Sequence, residues 1–194
     1  MKILPPYQMS SVPDESQVYP PREDSFLLHE AVISEILPDD YVLEVGIGTG
    51  FVISDLPSCR LVAGTDINPH AVVTAYNKGI MALRTDMARG LKPVFTLVLF
   101  NPPYLPTGPL EKIYDWLEYA LDGGLDGRET LTRFLEEIPD FMTKNGRILI
   151  LISELQDFDL CEGLFSSSGF LWSISGSKRM EDGENLRLYR LNKK

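Results

Sequence analysis

Cysteine, histidine, positive charge and long apolar runs are all scarce in this 194-residue chain. Its two cysteines, Cys59 and Cys161, stand far apart and outside any C-x-x-C pair. Neither a disulfide framework nor a zinc ribbon is expected, no metal site is predicted, and a reducing cytoplasm is the natural setting. The longest apolar stretches, around Leu97–Phe100 and Ile148–Ile152, fall far short of the ~20 residues that span a bilayer. The opening Met1-Lys2-Ile3-Leu4-Pro5-Pro6 has no apolar segment of signal-peptide length, so the expected localisation is cytoplasmic, away from membranes. Eighteen bases against 28 acids leave a net charge of −10. A non-specific nucleic-acid binder needs surplus positive charge to displace counterions, which disfavours DNA or RNA as a partner. The two histidines, His29 and His70, fall in or beside predicted helices and read as structural or solvated rather than catalytic.

What is present is an ordinary globular composition, 44% hydrophobic and 24% charged, which excludes wholesale disorder. Five prolines among the first 21 residues predict an extended arm over 1–17, followed by a single domain over 18–194. Glu23-Asp24-Ser25 opens a helix that Pro38 stops. Strands and helices then alternate: strand Tyr41–Val45, a glycine turn with a short helix ending near Leu56, strand Arg60–Thr65, helix Pro69–Lys78 and a short strand Ile80–Arg84. Val94–Phe100 is almost wholly apolar, as expected of a central strand buried on both faces. Helices are predicted over Leu110–Leu121 and Glu129–Thr143, the latter stopped by Asn145-Gly146. Strand Arg147–Ser153, helix Glu154–Ser167 and strands Phe170–Ser177 and Glu184–Leu191 complete the pattern. This is an α/β chain with a doubly wound, mainly parallel, seven-stranded sheet ending in an antiparallel hairpin. Such sheets bind ligands beyond the carboxyl ends of their strands, where strand order reverses.

The first strand runs into Glu44-Val45-Gly46-Ile47-Gly48-Thr49-Gly50. Gly46, Gly48 and Gly50 let the backbone turn tightly and let a bulky ligand approach the main chain. A dinucleotide fingerprint, G-x-G-x-x-G, would need its third glycine where Phe51 stands. A pyrophosphate is therefore not required, and a dehydrogenase is disfavoured. Glu44 would repel phosphate but attract an ammonium or sulfonium. Asp66 ends the second strand 22 residues later, close to the ~20-residue offset of an acid that takes ribose hydroxyls. Asn68 stands ready to assist it. Asp86 follows the third strand, where it can meet an adenine amine. Three acids at consecutive strand ends are best explained by one ligand.

The fourth strand runs directly into Asn101-Pro102-Pro103-Tyr104. Two prolines fix the backbone and remove two amide donors. The Asn101 side-chain oxygen and the Pro102 carbonyl can then both accept from a planar NH₂ group, with Tyr104 as a stacking face.

Together these residues resemble the class I S-adenosylmethionine-dependent methyltransferases that act on planar nitrogens. The stretch Val18-Tyr19-Pro20-Pro21-Arg22-Glu23-Asp24-Ser25-Phe26-Leu27-Leu28 is similar to the opening motif of the HemK-related protein-glutamine methyltransferases. Thr65-Asp66-Ile67-Asn68-Pro69 and Gly123-Gly124-Leu125-Asp126-Gly127-Arg128-Glu129 extend the likeness. The chain resembles the short branch, which acts on the Gly-Gly-Gln loop of the archaeal and eukaryotic class 1 release factor. The resemblance implies that Ser25, Glu44 and Gly46 contact the methionine end of S-adenosylmethionine, Asp66 its ribose and Asp86 its adenine. It implies that Asn101 serves both substrate amide and cofactor. It also implies a small zinc-binding activator subunit on a sheet edge, for which Ile80-Met81-Ala82-Leu83 offers an apolar strand. Two departures stand out: Ser25 where the family often has Thr, and Thr96 where an acid is common. Two other readings stay open. Asn-Pro-Pro-Tyr also occurs in enzymes that methylate adenine N6 or guanine N2 of nucleic acids, and the fold can serve as a catalytically idle binding scaffold.

Overall fold

The computed structural model describes residues 12–108 and 115–194. Seven strands form one sheet: β1 (Tyr41–Val45), β2 (Leu61–Asp66), β3 (Ala82–Arg84), β4 (Phe95–Phe100), β5 (Met142–Ser153), β6 (Phe170–Arg179) and β7 (Asn185–Lys193). Their order is β3-β2-β1-β4-β5-β7-β6. The first five run parallel, and β7 inserts antiparallel between β5 and β6. This is the doubly wound sheet with a closing hairpin that the alternation predicts.

The alternating side chains of the central strands divide the core in two. Leu97, Leu99, Leu149 and Leu151 pack under Leu28 and Val32 of α1 (Glu23–Glu35) and Ala75 of α2 (Pro69–Asn77). On the opposite face, Val98, Phe100, Ile148 and Ile150 meet Leu131 and Phe134 of α4 (Glu129–Glu137) and Phe165 of α5 (Phe158–Ser167). A short α3 (Trp116–Leu121) precedes α4. β1 sends the chain outward to β2 and β3, while β4 leads to β5 on its other side. The reversal therefore falls between β1 and β4.

Beneath the sheet, Arg147 forms a buried two-pronged ion pair with Asp40, at 2.9 and 2.8 Å. Thr96 donates its hydroxyl to Asp40 Oδ1 at 2.6 Å and accepts the Tyr41 N–H at 2.9 Å. An acid at position 96 would set a second carboxylate against Asp40, so the departure at Thr96 belongs to this support and not to the site.

Several expected boundaries move. The short helix after the glycine turn is absent, and that segment is a run of turns. Gly46, Gly48, Gly50 and Asp55 all hold positive φ, which a right-handed helix cannot accommodate. The helix expected over Glu129–Thr143 ends at Glu137, where Pro139 opens a 3₁₀ turn over Ile138–Asp140. Asn145-Gly146 is no helix stop but lies inside β5. A Cβ on Gly146 would stand 3.1 Å from the Phe95 carbonyl, so glycine permits a close approach to β4. The helix predicted over Glu154–Ser167 is split at Asp157, whose φ is +63°. The helix expected over Leu110–Leu121 appears as α3, and 110–114 lie outside the described residues. The last residues of the expected arm are docked. Glu15–Gln17 form a 3₁₀ turn capped by Asp14, with the Asp14 N–H on His70 Nδ1 at 3.0 Å and the Gln17 carbonyl accepting from Asn68 Nδ2 at 2.8 Å.

Candidate active site

A cavity of about 350 Å³ opens at the C-terminal ends of β1, β2 and β4, where strand order reverses. It gathers Ser25, Glu44, Gly46, Gly48, Asp66, Asn68, Asp86, Asn101, Pro102, Pro103 and Tyr104 onto one wall-to-wall lining. Of the catalytic and cofactor-binding residues expected from the sequence, Gly50 alone is outside that lining. A Cβ there would come within 2.5 Å of Ile80 Cδ1 and 3.3 Å of Ala75 Cβ, so Gly50 lets the turn pack against α2 and the segment that follows it.

The glycine turn is tied to the end of β2. The Gly46 and Ile47 N–H groups donate to the Thr65 carbonyl at 2.8 and 2.9 Å, and the Gly48 N–H donates to Asp66 Oδ2 at 3.0 Å. The other Asp66 oxygen takes the Asn68 N–H at 2.8 Å. Burial raises the Asp66 carboxyl, these backbone donors pull it back, and the balance is about 6. Two lone pairs per oxygen leave it capacity to accept from a ligand. Asn68 is more committed: its Oδ1 caps α2 through the His70 N–H at 2.9 Å, and its Nδ2 holds Gln17. Asp86 pairs with Arg133, and with Arg89 at 3.2 Å, so it enters the lining already bound to cations.

Glu44 is 3% exposed, and its Oε2 has no hydrogen-bond partner among the described residues. Burial raises its carboxyl well above the ordinary range, and the neighbouring Asp66 adds to the effect. A buried carboxyl oxygen with no donor, facing a cavity, is a site for a cation. With the open turn at Gly46 and Gly48 beside it, the lining fits the ammonium end of S-adenosylmethionine. Glu44 would hold that ammonium and Asp66 the ribose hydroxyls.

At the other wall, Asn101 Nδ2 donates to Asp24 Oδ2 at 2.9 Å, while Asn101 Oδ1 is buried without a partner among the described residues. Pro102 is buried beside it. Tyr104 is held by a loop that the sequence marks only by glycine. A Cβ on Gly127 would lie 2.5 Å from the Tyr104 carbonyl, and one on Gly123 would strike Gly127. Gln156 fixes that loop by donating to the Gly127 carbonyl at 3.0 Å. Burial, then the nearby Glu184 and Asp24, keep the Tyr104 phenol protonated.

Sequence reasoning passed over Asp24, Tyr19 and Arg133. Asp24 reads as one of several acids in a first helical turn. Its burial, 1% exposed, becomes visible only when α1 is laid beside β4. Tyr19 donates its hydroxyl to Asp24 Oδ2 at 3.2 Å, and Ser25 donates both its N–H and its hydroxyl to Asp24 Oδ1, at 2.6 and 3.2 Å.

The sheet order and this cavity define a class I S-adenosylmethionine-dependent methyltransferase. No protein-family model matches the chain. It is 41% identical over 147 residues to Methanocaldococcus jannaschii MJ0928, which carries the provisional description protein N5-glutamine methyltransferase; the match covers 72% of this chain and 74% of that one. It is 38% identical over 157 residues to the human methyltransferase HEMK2, covering 72% and 73%. Among solved structures, E. cuniculi Mtq2, in its complex with Trm112 responsible for methylation of the termination factor eRF1, superposes with a TM-score of 0.77 at 24% identity, over 92% of this chain and 99% of that one. The chain belongs to the HemK-related protein N5-glutamine methyltransferase family. Among the described residues, no helix is long and apolar enough to cross a membrane.

Proposed function

We propose that this enzyme, with residues 18–194 as its catalytic domain, methylates the side-chain amide nitrogen of the glutamine in the Gly-Gly-Gln loop of a class 1 release factor. The observation that carries this reading is Asn101 Oδ1, buried at the cavity wall beside Pro102 and without a hydrogen-bond partner among the described residues. An oxygen left without a donor costs about 1–3 kcal/mol, and an amide NH₂ removes that cost.

S-adenosylmethionine supplies an electrophilic methyl group on a sulfonium when bound. The remaining work is done by the chain. Asn101 Oδ1 and the Pro102 carbonyl accept the two N–H bonds of the glutamine, hold its plane and raise electron density on nitrogen. Tyr19 and Tyr104 line the same cavity and shield it from water. No strong base is assigned: the methylated nitrogen gives up its extra proton to solvent after transfer, and positioning with fixed dipoles provides the acceleration. A narrow slot suits a glutamine on a protruding glycine-rich loop, whereas a duplex base must first be flipped at a cost of roughly a few kcal/mol.

A small, zinc-binding activator subunit on the β3 edge is part of the same reading. β3 is three residues long at the end of the sheet, and Met81 beside it is 55% exposed. The Mtq2 neighbour was solved with Trm112. The test offers three substrates, with and without such a subunit: release factor, its Gln→Ala loop variant, and an adenine-containing oligonucleotide. Mass spectrometry should find one added methyl on the release-factor glutamine only. Transfer to the oligonucleotide and none to release factor would move the enzyme to nucleic-acid amines.

A further inference from the structure

Asn101 has two chemically opposite ends, and only one orientation gives the substrate amide an acceptor. Seen by shape alone, the side-chain amide fits equally well turned over. The orientation must be set by what the far end touches. That neighbour is Asp24, 2.9 Å away, brought in from the first turn of α1, 77 residues earlier in the chain. An ionised carboxylate only accepts hydrogen bonds. It can pair with the Asn101 NH₂ and not with its oxygen, so it turns Oδ1 toward the cavity.

Asp24 is itself locked. It is 1% exposed, and Oδ1 takes the Ser25 N–H at 2.6 Å and the Ser25 hydroxyl at 3.2 Å. Oδ2 takes the Tyr19 hydroxyl at 3.2 Å together with the Asn101 donor. Those donors compensate the charge for its burial and hold the carboxylate plane. The arrangement spends a buried anion on the polarity of one amide.

We infer that Asp24 is the positioning and specificity-determining residue that fixes Asn101 as a hydrogen-bond acceptor, and thereby selects an amide NH₂ over a carboxylate or a carbonyl oxygen at the reacting position. Tyr19 acts with it by holding Oδ2. Were the Asn101 amide reversed, its NH₂ would face the substrate NH₂, donor against donor, and favour a glutamate side chain over glutamine. The inference rests on the amide-acceptor reading of the site proposed above.

The test uses Asp24→Asn, which keeps shape and removes the acceptor-only character. The new amide can satisfy the Ser25 N–H with its oxygen and donate its NH₂ to Asn101, which then reverses. Expected is a fall in kcat on release factor of about 10²-fold or more. Asn101→Asp on top of Asp24→Asn puts an acceptor back toward the cavity, and kcat should recover at least roughly tenfold over the single variant. A purely structural role for Asp24 gives no such recovery. Asp24→Asn turning over above a third of the wild-type rate, or a double variant without recovery, overturns the inference. Wild type and Asn101→Ala run beside them. Failure of the wild type to methylate release factor refutes the substrate reading, whereas an inactive Asn101→Ala with an active Asp24→Asn refutes only the role of Asp24.

Discussion

Replacing Glu44 by glutamine should move cofactor affinity and protein stability in opposite directions. Glu44 is buried in β1, its Oε2 without a partner among the described residues, and its carboxyl is raised well above its ordinary range by burial and by Asp66. The folded protein therefore holds a proton there that the unfolded chain releases. For an acid raised in this way, stability is highest below the unfolded-state value and is lost as pH climbs toward the folded-state value. Glutamine has the same shape and does not titrate. Glu44→Gln should match wild type in melting temperature at pH 5 and exceed it at pH 8, by about 2–4 °C for each kcal/mol of strain relieved in a chain of this size. Binding goes the other way. Loss of a charged acceptor for an ammonium costs about 1.5–3 kcal/mol, or roughly 10- to 150-fold in Kd. Thermal melts at the two pH values and calorimetry with S-adenosylhomocysteine measure both arms. A variant that melts lower than wild type at pH 8, or binds with wild-type affinity, would refute the assignment of Glu44 as a strained carboxyl kept for a cation.

Asp66→Ala should weaken S-adenosylhomocysteine binding by about 1.5–3 kcal/mol. In wild type the affinity should rise with pH through about 6, as the raised Asp66 carboxyl ionises, and calorimetry in buffers of different ionisation heat should register proton release; a flat profile would count against this role. Arg147→Leu strips the cation from the buried Asp40 carboxylate and should cost about 3–5 kcal/mol in a denaturant melt. Burial pushes the Asp40 carboxyl up, but donation from Arg147, Thr96 and the Leu37 N–H outweighs it and holds it below its usual value. That stability is present above the ordinary Asp range and is lost as pH falls through the lowered value, so the variant should lack this acid limb; equal midpoints for the two proteins would dismiss the pair as a support of the sheet.

Much of this molecule was legible as a string. Apolar runs such as Val94–Phe100 can only be strands covered on both faces, so the parallel sheet followed from periodicity. Glu44, Asp66 and Asn101 were legible for a related reason. Residues at the carboxyl ends of neighbouring parallel strands must converge, whatever the side chains between them. Local chemistry that depends on close approach was harder to read. The glycines of the first turn suggest helix entry, yet their left-handed φ values make a coil, and Gly50 packs against Ala75 of α2 and Ile80, outside the cavity lining. Gly146 looked like a helix stop because the carbonyl it accommodates, that of Phe95, is distant in sequence. Tertiary structure alone decided the burial of Asp24 and its bond to Asn101, since 77 residues separate them. Hydrogen-bond polarity between distant side chains has no sequence period. It exists only once two elements are packed, and there it determines which end of an amide a substrate meets.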